Sequence, residues 1–170
     1  DTTKYLRNIL AFDAENKTVC VQPGLVLDHL NRYLKPHGLF FPVDVSTANR
    51  ATLGGMTGNN SCGARSIRYG NMVHNVESIE ALLSDGAKAH FQLLGNSAGV
   101  EEGSYQAKVK RLLSLGKREA DEIQMRFPDL LRRVGGYNID ELAKNQPNMS
   151  SLLVGSEGTL AFFQRIHLQL

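Results

Sequence analysis

An α+β fold is expected for this chain. Strand-like and helix-like segments are interspersed without a regular β-α-β-α rhythm. Two segments read as antiparallel pairs around a turn, and the last segment reads as a strand with one apolar face. With 42% apolar and 21% charged residues, the 170-residue chain has enough apolar material for a packed core.

The elements follow in order. Ile9, Ala11 and Phe12 lead into the polar run Asp13–Lys17, after which Val19 and Val21 alternate with Cys20 and Gln22, giving two strands around a turn. Leu27, Leu30 and Leu34 are spaced as one helical face, and Pro36 and Gly38 stop that helix. The short apolar segment Leu39–Asp44 reads as extended, with Phe41 kept out of the α region by Pro42. Asn49–Gly70 holds five glycines and three asparagines and few apolar residues, so neither a core helix nor a core strand is expected there. Val76–Gly86 and Lys88–Leu94 form a hairpin with Asp85-Gly86 at its tip.

From Ser104 to Arg133 the apolar residues Leu112, Leu113, Leu115, Ile123, Met125, Leu130 and Leu131 are interleaved with charges. Two helices are expected, broken near Gly116 and again near Pro128, with Gly135-Gly136 closing the region. Asn138 or Asp140 caps one more short helix. The terminal strand sets Phe163, Arg165, His167 and Gln169 against Phe162, Ile166, Leu168 and Leu170, with an imperfect alternation.

Several function classes are disfavoured. A net charge of +2 gives no reason to expect a nucleic-acid partner. No apolar run is long enough to cross a bilayer. Cys20 and Cys62 form neither a CxxC pair nor a disulfide framework, which fits a reducing compartment, and the five histidines show no metal-ligand spacing. The N-x-[ST] triplets at Asn16, Asn59 and Asn148 read as chance matches.

Two glycine-rich polar runs carry the chemical signal. The first supplies Gly54, Gly55, Gly58 and Gly63 among Thr52, Thr57, Asn59, Asn60 and Ser61. The second is Gly155, Ser156, Glu157, Gly158 and Thr159, immediately before the last strand. Such loops let a ligand approach bare backbone, and their successive N–H groups can form a nest for phosphate oxygens. The Walker lysine, the GxGxxG fingerprint and the GxSxG elbow are all absent. On the residues alone, ordinary turns and ligand loops both remain open.

The ordered set VQPG, helix, D-x-S-T, GG-x-x-x-x-N, RYG, a strand ending in DG, and GSEGTL resembles the FAD-linked oxidases. These are the vanillyl-alcohol-oxidase-like, PCMH-type flavoproteins, in their D-lactate dehydrogenase and glycolate oxidase branch. "NNSCGARS" and "FPDLLRRVGGYNIDEL" look most like the large bacterial members fused to an iron–sulfur module. The resemblance implies FAD as cofactor and a mixed or antiparallel sheet flanked by helices. It implies cofactor contacts from Asp44, Ser46, Thr47, Gly54, Gly55, Asn60, Ser61, Gly63, Tyr69, Gly155, Glu157, Gly158 and Thr159.

The resemblance also implies a parent enzyme that oxidises a small 2-hydroxy acid of the D-lactate, glycolate or D-2-hydroxyglutarate type to the 2-oxo acid. Residues 1–170 are then expected to be the second FAD-binding subdomain, cut at both ends, with a helical insert at about 104–146. The upstream glycine loop of the family and its downstream substrate domain, where the catalytic base lies, would be its partners, together with an iron–sulfur module. No catalytic or metal residue is expected here, the piece alone should not turn over substrate, and an uncovered face would favour self-association. The expected location is the cytoplasm, or a membrane surface as part of the parent.

Among single residues, Cys62 is expected to be a small packed side chain and His74 a hydrogen-bonded structural one. Arg65 and Arg68 are expected either at the cofactor phosphates or in solvent. The eight basic and four acidic residues of 108–133 are expected on a solvated helix surface. A flavin-free interaction or regulatory module on the same fold is the alternative reading.

Overall fold

The structure, a computed structural model, describes residues 1–95, 104–128, 130 and 132–170. A short helix α1 (Thr2–Tyr5) precedes strands β1 (Ile9–Asp13) and β2 (Thr18–Val21), and helix α2 (Leu27–Leu34) follows. Three short helices, α3 (Leu53–Gly58), α4 (Ser66–Tyr69) and α5 (Met72–Asn75), lead to β3 (Val76–Leu82) and β4 (Lys88–Phe91). Helices α6 (Ser104–Arg118) and α7 (Ala120–Arg126), 3-10 turns at Ile139–Ala143 and Met149–Leu152, and β5 (Phe162–Gln169) complete the order. Leu131, one of the apolar positions read from the sequence, lies outside the described residues.

The strands form one sheet in the order β1-β2-β5-β3-β4, with every pair antiparallel. The last strand thus sits between two hairpins and joins them. Its pairings align Val21, Ile166, Ile79 and Phe91 in one row and Val19, Leu168 and Val76 beside it, all buried. Against this face pack Leu27, Leu30 and Leu34 of α2, together with Leu53, Met72, Met149 and Leu153. That is the apolar spacing read as one face of a helix, here buried whole.

The uneven alternation of β5 has a local cause. Glu80 pairs with Arg165, but the next residue, Ala81, pairs with Phe163, so β5 spends one extra residue at this bulge. The bulge reverses the side-chain parity: Phe163 turns inward and Phe162 outward, while beyond it Ile166 and Leu168 point in.

Two expectations are corrected, and one extended segment finds its partners away from the sheet. The glycine-rich run does build a core helix: α3 buries Leu53 and Met56, and the Thr52 hydroxyl caps it by accepting from the Gly55 N–H. Gly116 does not break α6, which runs on to Arg118. An added Cβ at Gly116 would lie 2.5 Å from the Leu142 carbonyl oxygen, so this glycine marks close packing of the helix on the 139–143 turn. The segment 39–44 joins no sheet; Phe41 and Val43 fill the core, and the Phe41 N–H donates to Asn31 Oδ1. The break before Pro128 is found where the sequence places it, with α7 ending at Arg126.

The opposite face of the sheet is polar. Cys20 Sγ lies 3.6 Å from His167 Nε2, Glu80 lies 3.5 Å from both Arg165 and His167, and His90 bonds the Ser78 hydroxyl at 2.9 Å. Burial and Glu80 raise the Cys20 pKa, which keeps the thiol protonated. Burial lowers the His90 pKa, the neighbouring His167 adds to this, and Glu80 opposes it.

Two outcomes are expected. Gly116→Ala should destabilise the chain by about 1–3 kcal/mol in urea unfolding, because the added methyl meets main chain. His90 is held neutral in the fold, so its contribution is complete above its unfolded pKa near 6.5 and is lost as the pH falls below that toward its lower folded value. Urea midpoints at about pH 7.5 and about pH 5.5 should therefore differ less in His90→Gln than in the parent chain.

Candidate functional site

The site starts from three places where one backbone lies directly on another. A Cβ at Gly24 would stand 2.1 Å from the Thr2 carbonyl oxygen. At Gly54 it would stand 2.5 Å from the Pro23 side chain, and at Gly63 it would stand 1.9 Å from the Asp44 carbonyl oxygen. These glycines are needed for assembly. Through them the turn after β2 meets the start of α3, and the segment after Phe41 meets the end of the glycine-rich run.

The main chain then closes the two glycine loops on each other. Leu53 N–H donates to Leu25 O at 2.8 Å and Gly54 N–H to Pro23 O at 2.7 Å. From the second loop, Gly155 N–H donates to Thr57 O at 2.9 Å and Glu157 N–H to Gly58 O at 2.8 Å. Gly155, Glu157 and Gly158 all carry positive φ, at 83°, 53° and 75°. These four amides fasten the loops to each other and to the turn after β2. Among the described residues, the N–H groups of Cys62, Ala64 and Gly158 have no hydrogen-bond acceptor.

Two clefts result. The first, of about 370 Å³, is lined by Gly54, Gly55 and Gly58 from one loop and Glu157 and Gly158 from the other, with Pro23 and Phe162 beside them. A Cβ at Gly158 would meet nothing within 4 Å, and one at Gly55 only the Thr52 hydroxyl at 3.1 Å. Bare main chain therefore faces the cleft at these two positions. The second cleft, of about 1330 Å³, is lined by Asp44, Ser46, Cys62, Gly63, Ile67 and Arg132, among others.

The predicted residues fall into groups. Gly54, Gly55, Glu157 and Gly158 share the first cleft, and Asp44, Ser46 and Gly63 the second. Asp44 Oδ1 accepts from Arg65 N–H at 3.0 Å. Thr47 lines neither cleft, and its carbonyl accepts from the Arg50 and Ala51 N–H groups. Asn60 is buried: its Oδ1 accepts from Val73 N–H, and its amide donates to Arg133 O. Ser61 bonds Asn59 at 2.6 Å, and Gly155 packs on Asn60. The Tyr69 ring stands edge-on to Phe40, and the Thr159 hydroxyl meets Tyr137 OH at 2.8 Å.

Sequence reasoning missed the strap formed by 132–138. Arg132 Nη1 donates to Gly63 O at 3.3 Å, and Arg133 O accepts from the side chains of both Asn60 and Asn71. Asn138 does not cap the following turn; its side chain donates to Ser151 O and Val154 O. With Tyr137 on Thr159, the strap holds both glycine loops. The advance signals were the Gly135-Gly136 pair and the family likeness of "FPDLLRRVGGYNIDEL", and neither pointed to contacts with the loops. Arg65 and Arg68 lie over the rings of Phe40 and Tyr69, and His74 Nδ1 accepts from Asn71 N–H at 3.0 Å.

A family described as an FAD-binding domain matches residues 1–91. D-2-hydroxyglutarate dehydrogenase of Pseudomonas putida is 34% identical over 168 residues, covering 95% of this chain and 17% of the relative. Its Escherichia coli counterpart is 31% identical, over 100% of this chain and 17% of the relative. Glycolate oxidase subunit GlcD of Bacillus subtilis is 37% identical over 83 residues, 49% of this chain and 18% of the relative. The chain thus spans less than a fifth of the length of these relatives. Among solved structures, an alkyldihydroxyacetonephosphate synthase shares the fold, with a TM-score of 0.58 at 18% identity over 96% of this chain and 21% of that one. No described helix is long and apolar enough to cross a membrane.

The packing makes a paired prediction. Gly54→Ala should lower stability by about 1–3 kcal/mol, since the methyl meets Pro23. Gly55→Ala should cost less than Gly54→Ala, because the gain in helix propensity offsets the close 3.1 Å approach to the movable Thr52 hydroxyl. Thermal melts of the two variants side by side measure the contrast.

Proposed function

This chain belongs to the FAD-binding domain family, and we propose that it is the portion of a flavin-dependent oxidoreductase that grips FAD, in a protein that oxidises a small 2-hydroxy acid to the 2-oxo acid. The observation that carries the reading is the convergence of the two glycine-rich loops on one cleft, with main chain bare at Gly55 and Gly158. A bulky ligand can lie against backbone only where no Cβ stands in the way. The 2-hydroxy-acid class is supported by relatives whose names are D-2-hydroxyglutarate dehydrogenase and glycolate oxidase subunit.

We assign Ser46, Gly55, Glu157 and Gly158 to cofactor contact, since each lines a cleft and its outward atoms are not built into the loop packing. Gly54, Asn60, Gly63 and Gly155 hold the loops in place, and Thr159 does so through Tyr137. Glu157, the one charged residue lining the first cleft among the described residues, suits hydroxyl donors there. When bound, FAD supplies the hydride acceptor through its isoalloxazine; the work of this chain is grip and orientation. The iron–sulfur partner and the remaining domains belong to the same proposal.

The test is the visible spectrum of the purified chain after desalting, with melting followed as FAD is added. A retained flavin band or a rise in Tm is expected. Gly55→Ala should weaken FAD binding about tenfold, with the Tm of the free chain followed alongside because the methyl also stands 3.1 Å from the Thr52 hydroxyl that caps α3. If a chain extended upstream by the further glycine loop of the family also ignores FAD, the reading fails and the flavin-free module takes its place.

A further inference from the structure

We infer that Arg132, with the main-chain N–H groups of Cys62 and Ala64, binds an oxyanion of the ligand in the second cleft. The inference rests on the FAD reading for its ligand, and two ligand chemistries offer the group: the pyrophosphate of the dinucleotide and the carboxylate of a 2-hydroxy acid.

The argument is one of elimination among the cations. Arg65 and Arg68 belong to the glycine-rich run, yet their guanidinium groups lie over the rings of Phe40 and Tyr69, at 5.4 and 5.3 Å. Arg133 is committed to Asp140 at 2.7 Å and to the Phe127 ring at 4.7 Å. Arg132 forms no ion pair among the described residues, and it is the cation that lines the second cleft. Its bond to Gly63 O, at 3.3 Å, uses one of five guanidinium donors and holds the group beside the Cys62–Ala64 backbone. The N–H groups of Cys62 and Ala64 have no acceptor among the described residues.

Asp44 shares the cleft and keeps its negative charge: its Oδ1 accepts from the Arg65 N–H, and both its main chain and its carboxylate lie against Gly63, so an incoming oxyanion meets Arg132 with one acid nearby. What remains is a fork of donors, exposed and tied once to Gly63 O, beside two amides in a cleft that Ser46 also lines. Planar bidentate donors of this kind match phosphate and carboxylate oxygens. Among the described residues the first cleft has no cation in its lining and carries Glu157, so anionic and hydroxyl-bearing parts of a ligand are sorted between the two.

Calorimetric titrations of the parent chain, Arg132→Gln and Arg132→Lys test this with three probes: sodium pyrophosphate, D-2-hydroxyglutarate and FAD, at constant ionic strength and with melts in parallel. The parent chain should bind pyrophosphate or the hydroxy acid, and the one that binds identifies the source of the oxyanion. Arg132→Gln should weaken that binding about tenfold or more at unchanged Tm, and Arg132→Lys should fall between, keeping charge but losing the fork. Binding of neither anion to the parent chain, or equal binding by parent and Arg132→Gln, overturns the inference. FAD bound equally by both overturns a pyrophosphate role and leaves the FAD reading intact. Arginine-dependent anion binding with no FAD response, in this chain and in the chain extended by the upstream glycine loop, fails the FAD reading and keeps the oxyanion site.

Discussion

The contact of Gly54 on Pro23 governs the rest. It places the first turn of α3 against the turn that leaves β2, closer than any side chain would permit. From there a circuit of main-chain bonds closes. The carbonyls of Leu25 and Pro23 accept from the start of α3, and the carbonyls of Thr57 and Gly58 at its end accept from the second glycine loop. That loop feeds β5, which lies between β2 and β3 and returns to the sheet where the circuit began. A helix of six residues thus sets the distance between the turn at Pro23–Leu25 and the loop at Gly155–Glu157, far apart in sequence.

Much of this was legible in advance, and the parts that were not share a cause. Both hairpins, α2 and the terminal strand announce themselves through periodicity, because their apolar residues meet one continuous core. Helix α3 does not. Three of its six residues are glycine, each costing roughly 1 kcal/mol of intrinsic helix propensity. Burial of Leu53 and Met56 and the Thr52 cap outweigh that cost, and neither is visible in composition. Gly116 was misread for the same reason: a glycine that ends an element and a glycine that admits a neighbour look alike until the neighbour is placed. The bulge in β5 showed itself only as a flaw in alternation.

The site divides along the same line. Its residues could be named from the two glycine runs, but their arrangement depends on contacts between distant segments. Asn60 is one case: its side chain ties Val73 to the strap and faces no cleft. Arg132 is the reverse case, since nothing in its local sequence sets it apart from Arg133 beside it. One lines a cleft, and the other is consumed by Asp140 and Phe127. The strap from 132 to 138 reaches both loops from a single stretch of chain and stands apart from the glycine circuit.

The backbone angles of 155–158 have an entropic consequence. Three of these four residues are held at positive φ, and the N–H groups of Gly155, Glu157 and Thr159 are each bonded to a carbonyl in place. A loop so constrained has given up its freedom during folding. A ligand that settles against it therefore surrenders its own motion but little of the protein's, and less of the contact energy is lost to ordering the loop.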